Sequence, residues 1–122
     1  MEIKFRVYDS ISDKIHQWHK VKSIPLMNFN LEHYTLEQFT SLRDAYGVEI
    51  YEGDIVNFTR SYGNWQIPES HGYITDVCEI IYDTKCCRFA LSYKSNIQKL
   101  RVGYEYEVIG NIHENAELLT QK

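Results

Sequence analysis

The 122-residue sequence contains no apolar run that approaches the ~20 residues needed for a membrane-spanning helix. Its opening segment, MEIKFRVYDS, alternates charged and apolar side chains, so it lacks the continuous apolar stretch of a signal peptide. These two absences predict a cytoplasmic protein that has no membrane partner.

Cysteine is scarce, and the number of cysteines is odd. The three residues, Cys78, Cys86 and Cys87, argue against a disulfide framework, in which cysteines pair. We expect reduced and mostly buried thiols. A thiolate nucleophile would need a base and a positive environment, and the basic residues beside Cys86 and Cys87 are offset by Asp83.

Runs of Lys or Arg are also missing. The chain has 13 basic and 17 acidic residues, and its formal net charge is −4. Contacts with phosphates dominate the affinity of proteins for nucleic acids and require a cationic face. An extended nucleic-acid-binding surface is therefore disfavoured, although a local one remains open.

The chain lacks the short motifs of common enzyme and cofactor classes. It has no Gly-rich phosphate loop, no G-x-S-x-G segment and no cluster of His and Cys with zinc-ligand spacing. His16 and His19 are three residues apart, but a predicted strand over 14–21 turns them to opposite faces. We therefore predict no catalytic residue, no bound metal and no cofactor.

Aromatic residues, in contrast, are abundant: ten Tyr, five Phe and two Trp. Aromatic and β-branched side chains suit pleated, half-buried surfaces. Alternation of apolar and polar residues between turn signals predicts a series of short strands. Such a series indicates a mainly β chain folded as a small barrel or sandwich. The predicted strands are 2–8, 14–21, 54–58, 73–82, 86–94 and 104–112.

An N-terminal hairpin is predicted over 2–21. In its first strand Ile3, Phe5 and Val7 share one face, and the charged residues between them, Arg6 included, share the other. A lone two-stranded hairpin is only marginally stable in water. Its apolar face should therefore dock on the rest of the chain or on a second copy, and we expect a homo-oligomer.

The clearest hairpin joins 73–82 to 86–94. A two-residue turn at Thr84–Lys85 matches the apolar faces of both strands and places Ile80 opposite Phe89. Residues 35–47 are ambiguous. Apolar residues at helical spacing and a capping box predict a helix, whereas strand-forming residues such as Phe39 predict an extended segment.

The densest acidic cluster lies in DAYGVEIYEGD (44–54). Carboxylates of this kind can bind a hard cation or act as the acid and base of a hydrolase, here through Glu49, Glu52 and Asp54. The alternative, which we favour, is turn chemistry. Asp44 with Gly47 makes one turn, and Glu52–Asp54 makes another that leads into a strand.

Two specific expectations follow for the second turn. Gly53 should have a positive φ or approach a neighbouring strand closely, because glycine has no Cβ to clash. Asp54 should accept backbone N–H groups that the turn leaves open.

A long predicted loop, TRSYGNWQIPESHG (59–72), holds the best candidates for partner binding. Tyr62 and Trp65 are large aromatic residues in a segment where burial is not guaranteed. Loops carry function, and Tyr and Trp dominate interface hot spots. Trp65 can instead fold back over one end of the barrel.

Three segments together resemble the YopX family of phage and prophage proteins. They are EIKFRVYD (2–9), QFTSLRDAYGVEIYEGDIV (38–56) and YEVIGNIHENAELL (106–119). The sequence departs from the family pattern in its turns: Ser41 stands where the family usually has Gly, Ala45 and Tyr46 replace a polar pair, and Ala116 replaces Pro.

The resemblance implies a mainly β fold with a small SH3-like β-barrel in the C-terminal part of the chain. Together with the hairpin predicted from the residue pattern, this divides the chain into an N-terminal hairpin and extended arm (1–36) and the SH3-like β-barrel with a short C-terminal tail (37–122), and the alternative is that both segments form one domain. The resemblance also implies an extended structure over 38–43 and an origin in a phage or prophage of a bacterial host. It implies no activity. We therefore expect a non-enzymatic protein that binds a host or phage protein. A nucleic-acid-associated accessory protein and a hydrolase are the alternatives.

Overall fold

Alternating side-chain patterns build antiparallel strands throughout the computed structural model, which describes residues 3–23, 32–64, 66–94, 96–100 and 104–120. Within these ranges the structure has nine strands, one short helix and two 3₁₀ turns. They are β1 (Phe5–Asp9), β2 (Lys14–His16), α1 (Trp18–Val21), β3 (Tyr34–Arg43), β4 (Glu49–Tyr51), β5 (Asp54–Tyr62), β6 (Gly72–Asp83), β7 (Arg88–Tyr93), β8 (Asn96–Lys99), β9 (Glu105–Asn111), and the 3₁₀ turns Pro68–Ser70 and Ala116–Leu119.

The strands form two antiparallel sheets. The first has the order β2-β1-β3-β4, and the second has the order β8-β7-β6-β5-β9. The second sheet curls into a half-barrel. The prediction of a mainly β chain with an N-terminal hairpin and a small barrel is therefore confirmed. No helix in the described part of the chain is long and apolar enough to cross a membrane.

The N-terminal hairpin docks on its own chain. Strand β1 pairs with β3, with Val7 opposite Leu36, and Val7 is buried. The prediction of one strand over 14–21 was wrong: β2 ends at His16, and α1 follows. The helix buries Val21 and brings Trp18 against Phe5, at 6.3 Å between ring centroids.

The core of the half-barrel is apolar. Val56 and Phe58 of β5, Ile80 of β6 and Leu91 of β7 point into it, as the alternation of each strand requires. Ile50 of the first sheet joins this core and is fully buried.

The hairpin β6–β7 is present, but its predicted register was wrong. Ile80 lies opposite Leu91, and Tyr82 lies opposite Phe89. Residues 84–87 form the turn, and Cys87 has a positive φ of 52°. A shift of two residues keeps every side chain on its predicted face, so the alternation could not distinguish the two registers.

The thiols are free, as expected, but only Cys78 is buried, whereas Cys86 and Cys87 are exposed in this turn. Burial raises the pKa of the Cys78 thiol to about 11. That thiol is protonated at neutral pH and is a poor nucleophile.

Residues 34–43 are extended. This strand includes 38–43, for which the family resemblance implied an extended structure, and the helical alternative was wrong. Strand β3 pairs with β1 through its first half and with β4 through its second half. A register shift lies between Phe39 and Arg43, and within it Ser41 has a φ of 72°. The predicted boundary between 1–36 and 37–122 falls inside β3, and the division into these two segments stays a prediction.

Candidate functional site

A cluster of ionisable side chains lies between the two sheets, and three of its four members are buried. Arg6 Nε donates to Glu37 Oε1 at 2.7 Å, and Arg6 Nη1 lies 2.7 Å from Asp54 Oδ1. The second oxygen of Glu37 lies 2.9 Å from His113 Nε2. We call Arg6, Glu37, Asp54 and His113 the charged seam. Arg6 had been predicted on a polar outer face, and the structure buries it.

Backbone pairing brings the members of the charged seam together. Arg6 of β1 is the register partner of Glu37 of β3, so the two side chains leave the first sheet on one face. Asp54 begins β5, and His113 follows β9, so these two members come from the half-barrel side. The seam therefore joins the sheets through side chains.

Two aromatic rings contact the seam. The Tyr8 ring stacks on the His113 imidazole with 3.6 Å between centroids and 9° between planes. The Arg6 guanidinium lies over the Tyr51 ring at 5.0 Å from its centroid. A cation–π contact of this kind is stronger when water is excluded. The Tyr51 ring, which is itself buried, therefore covers the Arg6 end of the seam.

The electrostatics of the seam follow from burial and pairing. Burial raises the pKa of the Asp54 carboxyl above its ordinary value, although Arg6 and the Tyr51 N–H offset part of this effect. Burial also acts to lower the pKa of Arg6, but Asp54 and Glu37 outweigh it, so the pKa is raised. Arg6 therefore stays charged. Its positive charge offsets the desolvation cost of the two buried carboxylates.

The first acidic turn connects β3–β4 to β9. The Asp44 carboxylate accepts the backbone N–H groups of Tyr46, Val48 and Val108, at 2.8, 2.9 and 2.9 Å. Burial acts to raise the pKa of Asp44, but these three hydrogen bonds outweigh it, and the pKa is lowered. Gly47 in the same turn has a φ of +84°.

The second turn sits at the crossing between the sheets. Gly53 has a φ of +87°, its N–H donates to Ile80 O at 2.8 Å, and its carbonyl accepts the Ile112 N–H at 2.9 Å. A Cβ on Gly53 would overlap the Glu37 carboxylate. Both expected properties, the positive φ and the close approach, are therefore present. Asp54 Oδ2 accepts the Tyr51 N–H at 2.7 Å, as turn chemistry requires.

The three carboxylates of the hydrolase alternative have separate partners. Glu49 pairs with Lys4 and with Arg43, and the hydrogen bond from Lys4 is the main reason that its pKa is lowered. Glu52 accepts the Gln38 N–H, and Asp54 belongs to the charged seam. Among the described residues, no group of three His, Cys, Asp or Glu side chains is arranged to hold a metal ion.

The long predicted loop is shorter than expected, because β5 continues to Tyr62 and β6 begins at Gly72. Tyr62 therefore lies at the end of a strand, where it is 50% exposed and packs over Gly72. Trp65, the other candidate, lies outside the described residues. The contact with Gly72 assigns no binding role to Tyr62, and that role stays a prediction.

Beyond the half-barrel, β5 and β6 continue as a two-stranded ribbon. The pairing of β9 with β5 ends at Thr59, and the pairing of β7 with β6 ends at Glu79. We call residues 60–64 and 66–74 the distal ribbon. It carries three exposed apolar side chains: Ile67, which lies in the predicted loop, and Tyr73 and Ile74, which lie in the predicted strand 73–82.

Comparisons with known proteins support the fold and the family. The chain is similar to protein EF1440 from Enterococcus faecalis, whose crystal structure matches with a TM-score of 0.63 and 24% sequence identity over 98% of this chain and 99% of that chain. A search of the curated proteins found no significant match. The family model described as YopX protein matches residues 4–120. The match spans nearly the whole chain, and the chain therefore belongs to the YopX family.

Proposed function

We propose that this protein is a non-enzymatic interaction protein of a phage or prophage, which binds a host or phage protein in the cytoplasm of a bacterial cell. The observation that carries the proposal is the distal ribbon. Its large apolar side chains are exposed on an element that projects beyond the neighbouring strands, and Tyr73 is 69% exposed.

The distal ribbon has the features of a peptide- or protein-binding element. Tyr62 and Ile74 lie on one face, and Tyr73 lies on the other, because register partners share a face. Beyond β9 and β7 both ribbon edges leave backbone groups without a strand partner in the described sheets, and a partner chain can pair with such edges. Tyrosine anchors on an exposed edge are typical of interface hot spots.

The pairing of the acidic residues also supports a non-enzymatic role. A general acid or base has to reach a substrate proton. Asp54 is buried against Arg6, and Glu49 is engaged by Lys4 and Arg43. Both carboxylate oxygens of Asp44 accept hydrogen bonds from backbone N–H groups. These carboxylates act as connectors between strands.

Self-association stays a prediction, but the apolar surface from which it was predicted is now largely covered within the chain. The expected contact was the apolar face of Ile3, Phe5 and Val7. Val7 is buried and Phe5 packs on Trp18 within the same chain, which leaves Ile3 exposed. Sedimentation over a range of concentrations tests the oligomeric state directly, and a strict monomer at high concentration would contradict it.

The test of the proposed function is affinity capture from the bacterial host, with and without nuclease, followed by titration with the purified captured protein. The ribbon variant Tyr73→Ser/Ile74→Ser should bind that protein about tenfold or more weakly, because hot-spot side chains contribute most of the binding energy. The matched control, Tyr46→Ser/Val48→Ser, removes two exposed apolar side chains elsewhere. Equal affinity of the ribbon variant and the parent would exclude the ribbon as the binding surface.

A further inference from the structure

A groove opens at the edge of the half-barrel, between β5, β8 and β9. Its volume is about 490 Å³, and three basic side chains from three different strands line it: Arg60, Arg88 and Lys99. No carboxylate is among the described lining residues. A protein with a net charge of −4 thus presents a local cationic surface here, which no run of the sequence reveals. We call it the cationic groove.

The three basic residues are not equivalent. Arg60 Nη2 lies 3.4 Å from Asp76 Oδ2, so part of its charge is offset. Arg88 at the start of β7 and Lys99 at the end of β8 are both exposed. The positive charge available to a ligand therefore comes mainly from these two side chains.

An aromatic stack forms the floor and one wall of the cationic groove. Phe58 and Tyr106 are buried and stack at 5.3 Å between ring centroids. Tyr104 contacts the Phe58 ring edge-on at 5.7 Å and is 45% exposed. A half-exposed ring on a buried support has little rotational freedom to lose when a planar group stacks on it.

We propose that the cationic groove binds a short single-stranded segment of nucleic acid, with phosphates on Arg88 and Lys99 and a base on Tyr104. A nucleotide combines an anionic group with a planar ring, and the groove offers a partner for each. An acidic peptide would satisfy the cations but would leave the Tyr104 ring without a planar partner. The groove volume suits small-molecule-sized groups, which corresponds to one or two nucleotides.

This proposal concerns a second site, which adjoins the distal ribbon at Arg60 and Ser61 but does not depend on protein binding by the ribbon. Phosphate contacts make affinity depend on salt, with a slope of about −0.7 per phosphate for single strands. Two contacts therefore predict that binding weakens about sevenfold between 50 and 200 mM salt. The small number of contacts also reconciles a local site with the acidic net charge of the chain.

The experiment is a fluorescence anisotropy titration of the 122-residue protein with a labelled ten-nucleotide oligodeoxythymidine, at about 50 and 200 mM salt. Arg88→Ala/Lys99→Ala should lose about tenfold or more in affinity, together with most of the salt dependence. Tyr104→Ala should lose about tenfold with the salt slope unchanged, because stacking carries no charge. Lys14→Ala/Lys22→Ala removes two exposed charges outside the groove and should bind like the parent.

Three results would overturn the proposal: no binding of the oligonucleotide at 50 mM salt, an equal loss in the Lys14→Ala/Lys22→Ala control, or equal affinity for a labelled polyglutamate. The last result would show that the groove recognises negative charge alone. Thermal melts of each variant separate loss of the groove from loss of the fold, since Arg88 and Lys99 are surface residues.

Discussion

The apolar core of the half-barrel and the charged seam are both buried, yet they stabilise the protein in different ways. The core, around Ile80 and Leu91, is held by burial of apolar surface, which is not directional. The seam, around Arg6, is held by ion pairs that require each partner to be present. The core therefore drives collapse, and the seam determines how the two sheets meet.

The two regions differ in how much stability a substitution costs. An apolar core accepts a change of side-chain shape at a graded cost, which grows with the cavity left behind. A buried ion cluster is strongly destabilised when one partner is removed, because the remaining charge stays buried and uncompensated. We therefore expect the sharpest effects of substitution in the seam and smaller effects in the acidic turns around it.

The largest expected effect is that of Arg6→Ala. The substitution leaves the Glu37 and Asp54 carboxylates buried without their cation, and it should lower the free energy of unfolding by about 3–5 kcal/mol. Urea unfolding measures this loss. The control is Arg43→Ala, whose side chain is 54% exposed and pairs with Glu49, and which should cost less than about 1 kcal/mol. Equal costs for both arginines would show that the seam is no different from a surface pair.

The next largest effect is that of Gly53→Ala, with Gly47→Ala as its control. Both glycines have a similar positive φ, but a Cβ on Gly47 meets nothing, whereas a Cβ on Gly53 overlaps Glu37. The cost of placing an alanine at a positive φ is about 1 kcal/mol by itself. Gly53→Ala should therefore cost about 2–3 kcal/mol in urea unfolding, because it also strains the seam. If both variants lose the same free energy of unfolding, the close approach to Glu37 has no energetic consequence.

A smaller effect, which depends on pH, is expected for Asp44→Asn. The pKa of Asp44 is lowered in the folded protein, so its contribution to stability is present above the ordinary carboxyl pKa and is lost as the pH falls through the lowered value. At neutral pH the variant should be less stable by about 1 kcal/mol. Urea titrations at neutral and strongly acidic pH should show this gap closing in acid. A gap that widens in acid would contradict the assignment.

The smallest effect is expected for Ser41→Gly, and its sign is reversed. Ser41 has a φ of 72° at a position where the family usually has Gly. Glycine relieves the left-handed strain but has a more flexible unfolded state. The net result should be a stabilisation of about 0.5 kcal/mol. Ser61→Gly, at an exposed position of β5 without a positive φ, should instead destabilise the protein. Destabilisation by Ser41→Gly would show that the serine makes a compensating contact.

Several of these features were accessible from the sequence because they depend on local chemistry. Gly47 and Gly53 stood in acidic turns whose geometry calls for a positive φ, and both have one. The register of β6–β7 was not accessible, since alternation repeats every two residues and tolerates a shift of two. The extended structure of β3 came from the family resemblance, because local propensity left helix and strand equally open.

The sequence by itself determined the mainly β class, the apolar faces of β6 and β7 and the turn role of Asp44, since these follow from the spacing of neighbouring residues. Tertiary structure alone decided that Arg6 and Glu37 are buried together and that Arg88 and Lys99 share a groove. The physical reason is that charged residues leave no periodic pattern that reports their surroundings. A lysine or arginine on a strand looks the same in the sequence whether it faces water, a carboxylate or a ligand site. Only the pairing of strands distant in the chain brings these charges together.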